Sequence, residues 1–343
     1  MSHTPSVTGT PNAPASPSRV LRTCPQLFTL LAAVAFTAPG ALAADFPVRP
    51  IRFIVPSAPG GAPDISSRML AADMSTMFGQ PIIVDNRPGG SGVIGTDLIA
   101  KATPDGYTIG QGNILTLAIN RSLLKSLPYD IEKDLRKVVQ LSFVTNLLAV
   151  SPQLPVRSVA ELLAYAKANP GKLSFGSGGI GTTHHIGMEL LAHMTGTKMV
   201  HVPYKSTQQA ITELMAGRIQ LMSDGMASML PHARAGRVRA LATTGAKRSI
   251  AAPDLPTIAE AGVPGYEVVS WNGIIVPAKV PDPIVDKLNA AVNKVIDTQD
   301  FKDRIGKIGY ETVGGTARQF EELIARDTRK WAEIIKLSGA SAD

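Results

Sequence analysis

The chain has 343 residues, of which 44% are hydrophobic and 18% charged, with a formal charge of +7. The apolar share suits a packed globular protein and the length suits two domains; no glycine triplet or tandem repeat is present, which excludes collagen-like and solenoid architectures. The positive charge is spread along the chain with few aromatic residues beside it, which argues against a nucleic-acid partner.

The N-terminal segment reads as an export signal. Arg19 and Arg22 precede an uncharged run over residues 28–38, and Ala41-Leu42-Ala43 supplies the small residues that signal peptidase requires. The run is shorter than the about 20 apolar residues of a transmembrane helix. Residues 1–43 are therefore expected to be a cleaved signal peptide and the remainder to be exported. The only cysteine, Cys24, lies before the apolar run and not at the cleavage position. The exported part thus has no thiol, which excludes disulfides, thiolate metal sites and a cysteine nucleophile.

Strand and helix signals then alternate. Ile51–Val55 is a short β-rich run that leads through Pro56–Pro63 to Asp64, expected to cap a helix bearing Ile65, Met69 and Ala72 at helical spacing. Ile82–Val84 and Tyr107–Ile109 read as strands, with a glycine-rich connection and a helix between them. Ser158-Val-Ala-Glu161 is a capping box, and the helix it opens stops at Asn169-Pro-Gly171. Strands near 173–175, 199–202, 219–222 and 240–243 alternate with helices, and Asp282-Pro283 and Thr316–Gln319 open two more. This alternation predicts α/β architecture with largely parallel sheets, which bind ligands where strand carboxyl ends feed helix starts.

Three loops could carry chemistry. Gly90-Ser-Gly-Val-Ile-Gly95 has the form G-x-G-x-x-G, but a dinucleotide site also needs an acid about 20 residues on, and the next strand ends Gly110-Gln111-Gly112 instead. These glycines read as a tight connection, and no cofactor is expected. Phe175-Gly-Ser-Gly-Gly-Ile-Gly-Thr-Thr-His-His185 runs into a helix; with Phe at 175 it is not the nucleophile elbow G-x-S-x-G. It is a glycine-rich loop with two hydroxyls and two imidazoles at a helix start, where unpaired amides and the dipole favour an anion. Thr182 or Thr183 is the cap. His185 and His193 lie eight apart with no convergent carboxylates, so neutral polar contacts are expected rather than zinc. Asp224 ends a strand before a helix, either as a cap or at a cleft mouth.

The chain resembles the tripartite tricarboxylate transporter substrate-binding proteins, the Bug family. The resemblance is carried, in order, by Pro56-Ser-Ala-Pro-Gly-Gly61, Asn86-Arg-Pro-Gly-Gly90, Pro104-Asp-Gly-Tyr107, Leu127-Pro-Tyr-Asp130, Gly181-Thr-Thr-His-His185, His201-Val-Pro-Tyr-Lys205, Ala235–Ala242 and Val263-Pro-Gly-Tyr266. It implies a monomeric, non-catalytic receptor of the two-lobe periplasmic-binding-protein fold, with residues 44–145 and 269–343 in lobe 1 and 146–268 in lobe 2. The partners it implies are a small organic carboxylate and the integral-membrane permease subunits. The ligand residues it implies are Ser57, Ala58, Pro59, Gly60 and Gly61 in the first loop and Asn113 beside it. On the other lobe they are Gly181, Thr182, Thr183, His184 and His185 at the helix start, with Asp224.

Several positions depart from the family pattern. Ser57 stands where a bulky Phe is common, Ala62-Pro63 replaces Gly-Thr, His184 replaces a serine, and Asn272 replaces the Phe after Trp271. The space left at Ser57, together with the flat ring of His184, favours an aromatic dicarboxylate such as terephthalate over aliphatic di- and tricarboxylates or amino acids. A secreted hydrolase or reductase and a zinc carrier on His184, His185 and His193 are the competing classes.

Overall fold

The computed structural model describes residues 46–341; the expected signal peptide lies outside them. Ten strands make one mixed sheet: β1 (Ile51–Val55), β2 (Ile82–Asn86), β3 (Thr108–Asn113), β4 (Leu135–Val150), β5 (Ser174–Ser177), β6 (Val200–Pro203), β7 (Leu221–Gly225), β8 (Arg239–Thr243), β9 (Val269–Pro277) and β10 (Glu311–Thr312). Helices of functional interest are α1 (Ala62–Phe78), α2 (Val93–Ala100), α3 (Asn120–Leu123), α4 (Val159–Ala168), α5 (Thr183–Thr195), α6 (Thr207–Met215) and α7 (Met226–Arg234). They are followed by α8 (Asp282–Ile296), α9 (Gln299–Gly306) and α10 (Ala317–Ser338).

The strand order is β2-β1-β3-β9-β4-β7-β5-β6, with β8 and β10 also paired to β4. β4 organises this sheet. Its Leu135–Thr145 stretch pairs antiparallel with β9, and Ser142 and Phe143 with β10. From Asn146 onward it pairs antiparallel with β7, and from Leu147 with β8. The outer strands are parallel, β2-β1-β3 in one half and β6-β5-β7 in the other. The expected parallel crossovers therefore exist at both wings, but the centre is antiparallel, because one chain segment must run from the first half to the second and another must return. That central strand was not foreseen: all but a few of its residues are buried, and its apolar run Leu147–Val150 carries no alternation to mark it.

Packing divides the same way. One buried cluster, with Phe53, Leu70, Val276 and Leu288, belongs to the first half; another, with Ile211, Leu214 and Met222, belongs to the second. A third cluster joins Leu117 and Leu123 to Phe175, Ile186 and Leu190, with Trp271, Phe320 and Trp331 among them. α10 lies along this shared core. Thr316 and Gln319 close a reciprocal capping box at its start, and Phe320, Ile324, Trp331 and Ile335 form its buried stripe. The Trp271 indole N–H donates to Asp327 Oδ2 at 2.6 Å, tying the helix to β9.

Some capping expectations change. Ser158 and Thr182 cap α4 and α5 as read from sequence. Asp64 does not cap α1; Gly61 occupies that position and Asp64 sits in the first turn. Likewise Pro281, not Asp282, precedes α8.

The glycines of 90–95 do make a tight connection. Gly90 and Gly92 have φ of 53° and 84°, in the left-handed region that glycine favours. Gly95 serves close approach: a Cβ there would lie 2.8 Å from the Arg87 carbonyl oxygen and 2.9 Å from Pro56 Cα. Helix α2 therefore rests against the backbone that launches the 57–61 loop. Gly95→Ala must displace Pro56 or Arg87, and we expect a loss of about 1–3 kcal/mol in urea unfolding; an unchanged midpoint would refute the close-approach reading.

Candidate functional site

The first loop is held from beneath. Ala58, Pro59, Gly60 and Gly61 are exposed at the carboxyl end of β1, while Asp64 below them is 2% exposed. The Asp64 carboxylate accepts from the Gly60 N–H at 2.8 Å and from the Asn86 amide at 2.9 Å, and pairs with Arg68 at 3.0 Å. Burial works against its charge, but the bonds from Gly60, Arg68 and Asn86 outweigh burial and hold the carboxyl below its ordinary pKa. Asn86 also donates to the Ser57 carbonyl. Asp64 and Asn86 thus shape the loop. The Ser57 hydroxyl is shielded from solvent and has no hydrogen-bond partner.

Asn113, at the carboxyl end of β3, accepts from the Thr116 N–H at 3.0 Å through its side-chain oxygen, at the entry to the π-type turn Leu115–Ile119. In the ladder it stands opposite Asn272 of β9. The Asn272 side-chain Oδ1 accepts from the Ser142 hydroxyl at 3.2 Å.

The second loop ends in α5. Thr182 accepts from the His185 N–H at 3.4 Å and donates to the Gly179 carbonyl at 2.8 Å. Gly181 has φ of 78° and packs directly on Leu123 of α3, in the other half of the fold. The Thr183 hydroxyl meets the Ser270 hydroxyl of β9 at 2.7 Å. The N–H groups of Thr183 and His184 begin α5 and have no bond within the described residues, so the helix presents two donors and its positive pole here.

His184 Nε2 lies 2.9 Å from Asp224 Oδ1, and Ser228 donates to Asp224 Oδ2 at 2.6 Å. Burial would raise the Asp224 pKa, but the bond to His184, the charge of that ring and the Ser228 hydroxyl prevail and keep it low. Asp224 is not a cap, since Gly225 holds that place on α7. It anchors His184, whose Nδ1 is shielded from solvent and unpartnered.

These contacts form a continuous series across the halves: Asn113 opposite Asn272, Asn272 two residues from Ser270, Ser270 on Thr183, then His184 on Asp224. No hydrogen bond, ion pair or ring contact joins Ser57–Gly61 directly to Gly181–His185 among the described residues. Sequence reading gave no side-chain role to Asn86, Ser228 or Ser270. Among the described residues no group of three or more His, Cys, Asp or Glu side chains is arranged to hold a metal ion.

His185 turns inward. Its Nδ1 accepts from the Gly181 N–H at 3.1 Å, and its ring stacks on His201 at 3.8 Å, with Phe175 beyond His201 at 5.0 Å. Ser177 bonds His201 Nε2 at 2.7 Å. Burial pushes both imidazoles down to about 4, with the neighbouring His201 adding to the effect on His185. Both are neutral in the folded protein where the unfolded chain would protonate them, between their ordinary 6.5 and about 4. Protons taken up by the unfolded state favour it, so stability falls as pH drops through that window, by roughly 3 kcal/mol per imidazole. His201→Phe keeps the stack and removes one titrating ring. Urea midpoints measured from pH 7 to 4 should fall less steeply in that variant; parallel curves would contradict the assignment.

Residues 66–340 match the model of the tripartite tricarboxylate transporter family receptor, TctC. A UPF0065 protein in the tcbD-tcbE intergenic region of Pseudomonas sp. strain P51 is 40% identical over 291 residues, covering 84% of this chain and 86% of the relative. The R. palustris Rpa4515 structure with adipate aligns at a TM-score of 0.76 and 36% identity, covering 86% of this chain and 99% of that one. The periplasmic binding protein BugD aligns at 0.71 and 30% identity, covering 86% and 99%. With a shared two-lobe α/β fold and a match along most of its length, the chain belongs to the tripartite tricarboxylate transporter receptor family.

Proposed function

We propose that the chain is a periplasmic receptor that captures a small organic carboxylate between its two lobes, 44–145 with 269–343 and 146–268, and delivers it as a monomer to membrane permease subunits. The observation that carries this reading is the start of α5, where a glycine loop leaves the Thr183 and His184 amides without a hydrogen bond beside β9. A carboxylate docked there gains roughly 0.3–1 kcal/mol from the helix dipole besides its hydrogen bonds. Adipate in the related Rpa4515 structure is a carboxylate of the proposed size class. The opposing wall is the 57–61 loop, with Asn113 beside it. Both buried acids near these loops are satisfied internally, so the grip on the ligand consists of dipoles and hydroxyls, and opening of the lobes releases it without breaking a strong ion pair.

Within that class we favour an aromatic dicarboxylate, terephthalate being the specific expectation, because serine at 57 leaves room that a ring can fill. Aliphatic di- and tricarboxylates or amino acids are the alternative. Thermal unfolding of the purified protein over a panel of mono-, di-, tri- and aromatic carboxylates tests the class. A true ligand at 100 times its Kd stabilises by about 2.7 kcal/mol, and a panel with no shift would reject the receptor reading.

Ser57→Phe tests the subclass. Calorimetry should show aromatic binding weakened by about ten-fold or more, equivalent to 1.4 kcal/mol, while aliphatic binding survives. If neither changes, position 57 does not line the ligand space.

A further inference from the structure

Asn146 is fully buried, yet neither its amide nitrogen nor its carbonyl oxygen has a hydrogen-bond partner. Its backbone is fully used: the N–H donates to the Thr244 hydroxyl at 2.9 Å and the carbonyl accepts from the Thr244 N–H at 3.0 Å. The side chain is therefore not needed to build the sheet. Burying an unpaired amide costs about 1–3 kcal/mol, and an apolar residue at this place would avoid that cost.

The position explains what the amide faces. Asn146 is the first residue of β4 to pair with β7 rather than β9. Alternation along β4 puts its side chain on the face shared by Val144 and Ser142, whose ladder partners are Ser270 and Asn272. Ser270 carries the Thr183 contact at the start of α5. On the other side its ladder partner is Gly225, with φ of −52°, where any residue is allowed. A Cβ on Gly225 would meet only the Ser228 hydroxyl and Val144, at 3.8 and 3.9 Å, so space is left beside the amide.

We infer that Asn146 is a ligand-binding residue on the floor of the cleft, its Nδ2 donating to a carboxylate oxygen and its Oδ1 accepting from a hydroxyl or water. This rests on the receptor reading above and adds a contact on the crossing strand itself. The ligand would then touch both wings and the segment that joins them.

The test uses the full chain, with calorimetry on adipate and terephthalate and thermal unfolding without ligand. Asn146→Leu replaces the amide by an apolar group of similar size. Its unliganded unfolding temperature should equal or exceed that of the unmodified protein, while affinity for whichever probe binds drops about ten-fold or more. Gly225→Val, at a permissive φ, should weaken the same probe by filling the adjoining space, and it serves if the Leu variant does not fold. Affinity within about two-fold of the parent in both variants, or in Gly225→Val alone when Asn146→Leu does not fold, overturns the inference and assigns the amide to a structural water. Failure of both probes on the unmodified protein rejects the receptor reading for these two ligands and this inference with it.

Discussion

A single strand, β4, is hydrogen-bonded into both halves of the sheet, and neither half is complete without it. This constraint fixes much else. The chain must return, so β9 runs back along β4 and carries Ser270 and Asn272 to the junction. The loops after β1, β3, β5 and β7 lie at the carboxyl ends of their strands, which is where open α/β sheets bind ligands. Residues far apart in sequence, such as Thr183 and Ser270, become neighbours because the two long strands hold the wings at a set distance. α10 reinforces the arrangement by covering a core built from both halves.

Around this frame the buried charges are directed inward. Asp64 spends its lone pairs on the backbone and side chains that shape the first loop, and Asp224 spends its own on His184 and Ser228. Behind α5 the stacked His185 and His201 stay neutral because burial disfavours their charge. On the proposed reading the cleft offers amides and hydroxyls, and a donor set of that kind selects an anion through its geometry more than through net charge, with a pull that fades within a turn of the helix end.

The amount legible in the sequence varied with the kind of signal. Helix starts were plain where Ser158, Thr182 and Thr316 supply a hydroxyl before an apolar stripe, because the cap is a local interaction. The wing strands were legible for the same reason, each bounded by glycine and proline. The acid positions misled: Asp64 and Asp282 read as caps, but an acid in a first turn favours the helix dipole equally well, and glycine or proline took the cap itself. β4 gave no periodic signal, since a strand buried on both faces reads as a plain apolar run. The 175–185 loop was found from its glycines and hydroxyls and the 57–61 loop from the family resemblance, whereas Asn86 and Ser270 matter through distant partners that no local pattern announces.

The shared central strand also sets the order in which the protein can be assembled. Residues 146–268 hold the end of β4 and all of β5 to β8 within one uninterrupted stretch, so the strands of the second half come from a single run of sequence. The first half is different: β1, β2 and β3 are made early, but β9, β10 and the covering helices α8 to α10 are made last. Non-local pairing of this kind delays folding, because a long loop must close before its contacts reward it. Until the C-terminal residues emerge, β3 has an open edge and Trp271 has no Asp327 to meet. A chain built this way keeps its first wing unfinished until its last strands and helices have been made.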